Sequence, residues 1–198
     1  MGLVEWAVVK GAGKYKRDAE QALCMLLYWL ASPGQLKDIM HVFGVSRSQI
    51  SSIVTELVEF LYEKYSKKLL WDHKRLSQDQ LQAYVKAIDE TVGESIEIWG
   101  FIDRTVQPVA RATEGQETYY SGHKGYHGIK YQSIVTPDRL ISSLYGPELS
   151  PKGDWKLWQE SGVEQILRQI FNQNPANQML YLYGDPAYAP SYEVRGPY

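Results

Sequence analysis

The hydrophobic period changes once along this chain, near Gly93–Ser95, and that change constrains the fold more than any other feature. Upstream, apolar residues recur every three or four positions, the mark of helices with one buried face. Residues 17–31 predict an apolar helix, broken by Ser32-Pro33-Gly34. Residues 35–43 predict a short helix with Leu36, Ile39, Met40 and Phe43 on one face, and Gly44 permits a tight turn after it. Ser46 and Gln49 stand at capping-box spacing and open a further helix carrying Ile50, Ile53, Val54, Leu57 and Leu61. Helix, glycine turn and capped helix make a helix-turn-helix pattern over about residues 35–63. One more helix is expected over about 77–92, starting at Ser77. Downstream the grammar is that of strands: 97–111, 119–136 and 139–146, with a Pro137-Asp138 turn between the last two. A helix over 155–171 with Asp154 as its N-cap, a loop over 172–177 and a strand over 179–183 complete the order. Strands, a crossing helix and a returning strand predict an α/β layer with a mixed sheet. The expected domains are therefore 1–94, helical, and 95–198, α/β.

Composition adds bounds. Hydrophobic residues at 44% suffice for a core, and the run "ALCMLLYWLA" is too short to span a membrane and lacks signal-peptide flanks. The formal net charge of -2 hides an asymmetry. Residues 1–76 hold 11 Lys and Arg against 8 Asp and Glu, and residues 77–198 hold 10 against 15. This suits a mildly basic front and an acidic rear. The single cysteine, Cys24, cannot form an internal disulfide. It fits a reducing compartment and a place in the core of the first helix.

Two apolar runs, "WGFID" and "YLYGD", each end in an aspartate, Asp103 and Asp185, 82 residues apart. Were the two strands neighbours in one sheet, the carboxylates would meet at its end, and an oxygen-only site favours Mg²⁺ or Mn²⁺. The alternative from spacing alone is that each aspartate caps a turn. Asp154 is a weaker metal candidate beside its capping role, and Glu193 reads as a solvated loop acid. His123 and His127 would lie on one face of a strand but far apart, which suits surface or substrate contact better than a metal.

"WGFIDRT", "YYSGHKGYHGIKYQSIVTPDRLISSLYGP" and "YLYGDPAY", in that order, resemble the successive blocks of DDE superfamily endonucleases related to PIF/Harbinger transposases. The stretch from Gln21 to Val54 resembles the helical region preceding those blocks. The resemblance implies an α+β chain, with an N-terminal helix-turn-helix region followed by an incomplete RNase H-like α/β catalytic domain. It implies that Asp103 and Asp185 are the first two acids of a catalytic triad, holding Mg²⁺ or Mn²⁺ for phosphodiester cleavage in double-stranded DNA. Three departures stand out: Arg104 replaces a glycine, Gly153-Asp154 replaces His-Asp, and the third acid, a Glu on a later helix, has no counterpart before Tyr198. The expectation is therefore a transposase-derived protein with little or no cleavage of its own. The alternatives are a non-catalytic DNA-binding or interaction module and a transposon remnant. The resemblance further implies the nucleus, failing that the cytoplasm, no secretion or membrane, and a homo-oligomer or a helper DNA-binding protein.

DNA contact is expected from the first turns of the second helix of the helix-turn-helix, where Arg47, Ser48, Gln49, Ser51 and Ser52 would face base edges. Lys14, Lys16, Arg17, Lys64, Lys67 and Lys68, with Lys124 and Lys130 of the second domain, are the candidates for phosphates.

Overall fold

A computed structural model describes residues 18–32, 34–111, 113–122, 124–149, 152–172, 179–188 and 193–197. Lys14, Lys16, Arg17, His123 and residues 173–178, most of the expected 172–177 loop among them, lie outside the described residues. The chain divides into two compact units, Met1–Ser66 and Lys67–Tyr198.

In the first unit, α1 (Ala19–Ala31), α2 (Leu36–Phe43) and the first turns of α3 (Arg47–Leu70) share one core. Ala22, Met25 and Leu26 of α1 meet Ile39 of α2 and Ile50, Ile53 and Leu57 of α3. The turn between α2 and α3 is built as its residues dictate. Gly44 takes the left-handed conformation, φ 62°, and its N–H closes on Met40 O. The capping box is present: Ser46 N donates to Gln49 Oε1 at 3.1 Å and Gln49 N donates to Ser46 Oγ at 3.4 Å. Cys24 corrects the expectation of a core thiol. It is exposed, because the buried stripe of α1 runs through Ala22, Met25 and Leu26 and leaves position 24 off it.

The second unit holds α4 (Gln78–Val92), capped by Ser77, whose side chain accepts from Gln80 N. It continues with β1 (Ile98–Pro108), α5 (Gln116–Tyr119), β2 (Tyr120–Ser121), β3 (Tyr126–Val135) and β4 (Ile141–Leu149). Then come α6 (Asp154–Ser161), α7 (Val163–Asn172), β5 (Tyr181–Tyr183), a 3-10 turn (Pro186–Tyr188) and β6 (Val194–Arg195). The predicted strand 119–136 is a hairpin, because Gly122 and Gly125, the latter at φ 74°, carry a turn between β2 and β3. The predicted helix 155–171 is two helices, broken at Gly162, φ 71°.

The sheet runs β2-β3-β1-β5-β6, with β4 also paired to β3. β1–β3 and β3–β4 are antiparallel, while β1–β5 and β5–β6 are parallel, and α6 and α7 lie on the connection from β4 to β5. This mixed α+β arrangement, seven helices and six strands among the described residues, is consistent with an RNase H-like domain. Its core joins Trp99, Ile102 and Leu182 of the sheet to Trp158, Leu167 and Phe171 of α6 and α7. Trp71, Leu76, Leu81, Tyr84 and Val85 belong to the same core, which is why α4 falls in the sheet-bearing unit although the hydrophobic period changes only after it.

Candidate metal centre beside two parallel strands

β1 and β5 pair in parallel, and their last registered pair is Phe101 with Tyr183. Asp103 and Asp185 each stand two residues further along. Side chains alternate along β1: Phe101, Asp103 and Thr105 are exposed, Ile102 is buried and Arg104 half-buried. Tyr183 and Asp185 are exposed in the same phase. The two aspartates line one open cleft of about 280 Å³ with Phe101, Ile102, Tyr183, Gly184 and Pro197.

Gly184 explains the interruption of "YLYGDP". A Cβ there would lie 2.7 Å from Ile102 Cγ2 and 3.1 Å from Val194 Cγ1, so only glycine lets the end of β5 lie this close to β1. Pro186 then ends the ladder, and Asp185 opens the 3-10 turn by accepting from Ala187 N at 2.8 Å. Asp103 Oδ1 accepts from Arg104 N at 2.7 Å. At Asp185 turn capping and the shared cleft, the two alternatives left by spacing, thus coexist, while Asp103 lies inside β1 and commits one oxygen to the amide that follows it.

On the opposite face of β1 lies a second group of charges. Asp154 corrects the N-cap expectation: Gly153 is the cap, and Asp154 is the first residue of α6, with its side chain 3% exposed. It is buried because Arg104 Nη1 donates to its Oδ1 at 2.5 Å and Lys130 Nζ lies 4.0 Å away. Lys130, expected toward DNA phosphates, is 5% exposed, and its ammonium donates to Lys152 O. Burial, then the charge of Arg104, lowers its pKa, with Asp154 opposing. Its charge is therefore spent inside the fold. Glu193, expected to be solvated, is also buried, with Arg168 Nε 3.2 Å from its carboxylate.

Sequence reasoning passed over Tyr188. It is fully buried, and its hydroxyl has no hydrogen-bond partner among the described residues. Burial first, then the charges of Asp154, Asp103 and Asp185, hold its pKa above the ordinary phenol range, against Arg104. One hydroxyl thus feels all three acids. The available signal was its place three residues after Asp185, in "GDPAY".

A family model described as DDE superfamily endonuclease matches residues 102–198, a stretch that contains both aspartates of the cleft. Residues 102–198 are similar to DDE superfamily endonucleases. No curated protein and no solved structure matches the chain. DDE endonucleases generally use divalent metals. The cleft fits one in kind: its donors are hard carboxylate oxygens, and the described residues lining it include no lysine or arginine. Among the described residues, however, no group of three or more His, Cys, Asp and Glu is gathered as a metal site. No described helix is long and apolar enough to cross a membrane.

The remaining candidates are dispersed. Lys124 is exposed beside the β2–β3 turn, and His127 packs edge-on against Tyr120 at 5.4 Å. In the first unit, Arg47, Ser48 and Ser51 are exposed and line a groove with Leu36 and Ser46, while Ser52 is half-buried. Gln49 Oε1 is committed to the Ser46 cap rather than held out for a base edge. Lys64 lies over the Phe60 ring, Lys67 is exposed, and Lys68 lies 3.9 Å from Asp72.

Proposed function

We propose that this chain is a transposase-derived, Harbinger-type DNA-binding protein whose second unit presents a DNA phosphate to a divalent cation held by Asp103 and Asp185. The observation that carries this reading is the parallel pairing of β1 with β5, with Phe101 opposite Tyr183, which brings both acids to one cleft. A bound Mg²⁺ or Mn²⁺ would supply charge neutralisation and Lewis acidity at a phosphodiester. The chain's own residues do the rest. The carboxylates fix the cation's place, and backbone amides of Arg104 and Ala187 fix the carboxylates. Arg47, Ser48 and Ser51 on the exposed start of α3 supply duplex contact, with Arg47 suited to guanine and to phosphate. Cleavage needs at least one more ligand, from a second copy of the chain or a helper protein, and the place of action is nuclear DNA.

The test is duplex binding with and without Mn²⁺. Mn²⁺ strengthens binding by the wild-type chain, and Asp103→Asn and Asp185→Asn each remove that increment while leaving metal-free binding intact. Equal Mn²⁺ enhancement in all three proteins would refute the cation site.

A further inference from the structure

Arg104 sits next to Asp103 in sequence, where its charge would repel a cation. The structure assigns Asp154 to the cancellation of that charge, and we propose that Asp154 is a positioning residue for the cation site: it holds the Arg104 guanidinium on the far face of β1 and neutralises it, so that Asp103 and Asp185 keep their negative field for a metal.

Three observations carry this. The guanidinium bonds Asp154 Oδ1 at 2.5 Å, and its side chain is 30% exposed against 3% for Asp154. The ammonium of Lys130 is buried 4.0 Å from the same oxygen, so without Asp154 two cations would share this face unneutralised. And the α6 helix that carries Asp154 packs on the 3-10 turn that follows Asp185, which ties the position of the ion pair to the cleft. Alternation along β1 aims Arg104 away from Asp103, and Asp154 fixes it there.

The inference rests on the cation reading, and the test separates the two. Mn²⁺ binding is read by electron paramagnetic resonance of the free ion on the 198-residue chain, without DNA. Asp154→Asn should weaken Mn²⁺ binding about tenfold and Arg104→Gln should tighten it about threefold, the scale of one unit charge acting across a partly solvated protein edge. The double variant should return to within about twofold of wild type, a rescue that a purely structural role for Asp154 would not produce. Asp154→Asn leaves two cations on a buried face. If it does not fold, Arg104→Gln decides alone: an affinity equal to wild type overturns the inference. Wild-type binding that is lost in Asp185→Asn but insensitive to Arg104→Gln and Asp154→Asn overturns the inference and leaves the cation site standing. A wild-type chain that binds no Mn²⁺ overturns both.

Discussion

Phe101 and Tyr183 face each other across the parallel β1–β5 pair, their rings edge to face with centroids 6.3 Å apart. That register depends on how closely the end of β5 approaches Ile102, and Gly184 is the residue that allows it. Gly184→Ala adds a methyl 2.7 Å from Ile102 Cγ2 and 3.3 Å from Tyr188 Cδ2. The expected cost is about 1–3 kcal/mol, the usual price of overpacking a filled site. Urea unfolding measures it. A midpoint equal to that of wild type would show that β5 can move outward, and that the placement of Asp185 is not fixed by this contact.

Asp138, in the turn between β3 and β4, binds Arg75 and Tyr84 from the helical stretch ahead of the sheet, each at 2.8 Å, and Thr136 at 2.6 Å. Burial opposes its charge, but the bonds from Thr136, Arg75, Tyr84 and the Leu140 amide outweigh it and hold the pKa well below the ordinary carboxylate range. A carboxyl with a depressed folded-state pKa contributes stability that is complete above its unfolded pKa and is lost as pH falls through the folded value. Asp138→Asn should therefore cost about 1–2 kcal/mol at neutral pH, toward the low end because the side chain is a third exposed. The difference from wild type should shrink in increasingly acid solution. Thermal melts across pH check it, and a constant difference down to strongly acid pH would show that the carboxylate charge is not the source.

These two cases also show what was legible in the sequence. The order of elements, the Ser46 and Ser77 caps and the Pro137-Asp138 turn could be read because each is local: a propensity, a cap residue or a proline. The two aspartates that close apolar runs were legible as a repeated pattern, although spacing alone could not join them, since the β1–β5 pairing spans β2 to α7. Lys130 and Glu193 were misread, and the ion pair of Asp154, read as an N-cap, was missed, for one reason. Charged residues default to solvent in sequence, and only the tertiary arrangement brings Arg104 to Asp154 and Arg168 to Glu193. Tyr188 was passed over because its place in "GDPAY" gains weight only once its hydroxyl is found buried.

The start of α3 separates folding from recognition in adjacent residues. Ser46 accepts from Gln49 N, so Ser46→Ala should destabilise the first unit by about 0.5–2 kcal/mol. Arg47 is exposed and off the Ile50, Ile53 and Leu57 face, so Arg47→Ala should leave stability unchanged and weaken duplex binding. Its loss should also flatten the dependence of affinity on salt, by a slope of about 1 for one lost phosphate contact. Binding curves for wild type and Arg47→Ala that superimpose across a salt series would remove α3 from the DNA-contacting surface.

Cleavage is the most demanding expectation. Phosphodiester hydrolysis by two ions needs ligands that place one ion on the attacking oxygen and one on the leaving oxygen. The cleft offers Asp103 and Asp185, and among the described residues no third group joins them as a metal site. The two nearest alternatives are engaged elsewhere: Asp154 by Arg104 and Glu193 by Arg168. Freeing Asp154 would strip the counter-charge from Arg104 and Lys130, which makes its recruitment costly. The purified 198-residue chain should therefore leave supercoiled duplex DNA intact in Mg²⁺ or Mn²⁺ over hours, while still binding it. Metal-dependent nicking that disappears in Asp185→Ala would contradict this. Asp154→Asn alone and combined with Arg104→Gln would then identify the missing ligand: nicking lost in both makes Asp154 the third carboxylate, and nicking retained in the double variant with a steep dependence on protein concentration makes a second copy of the chain the donor.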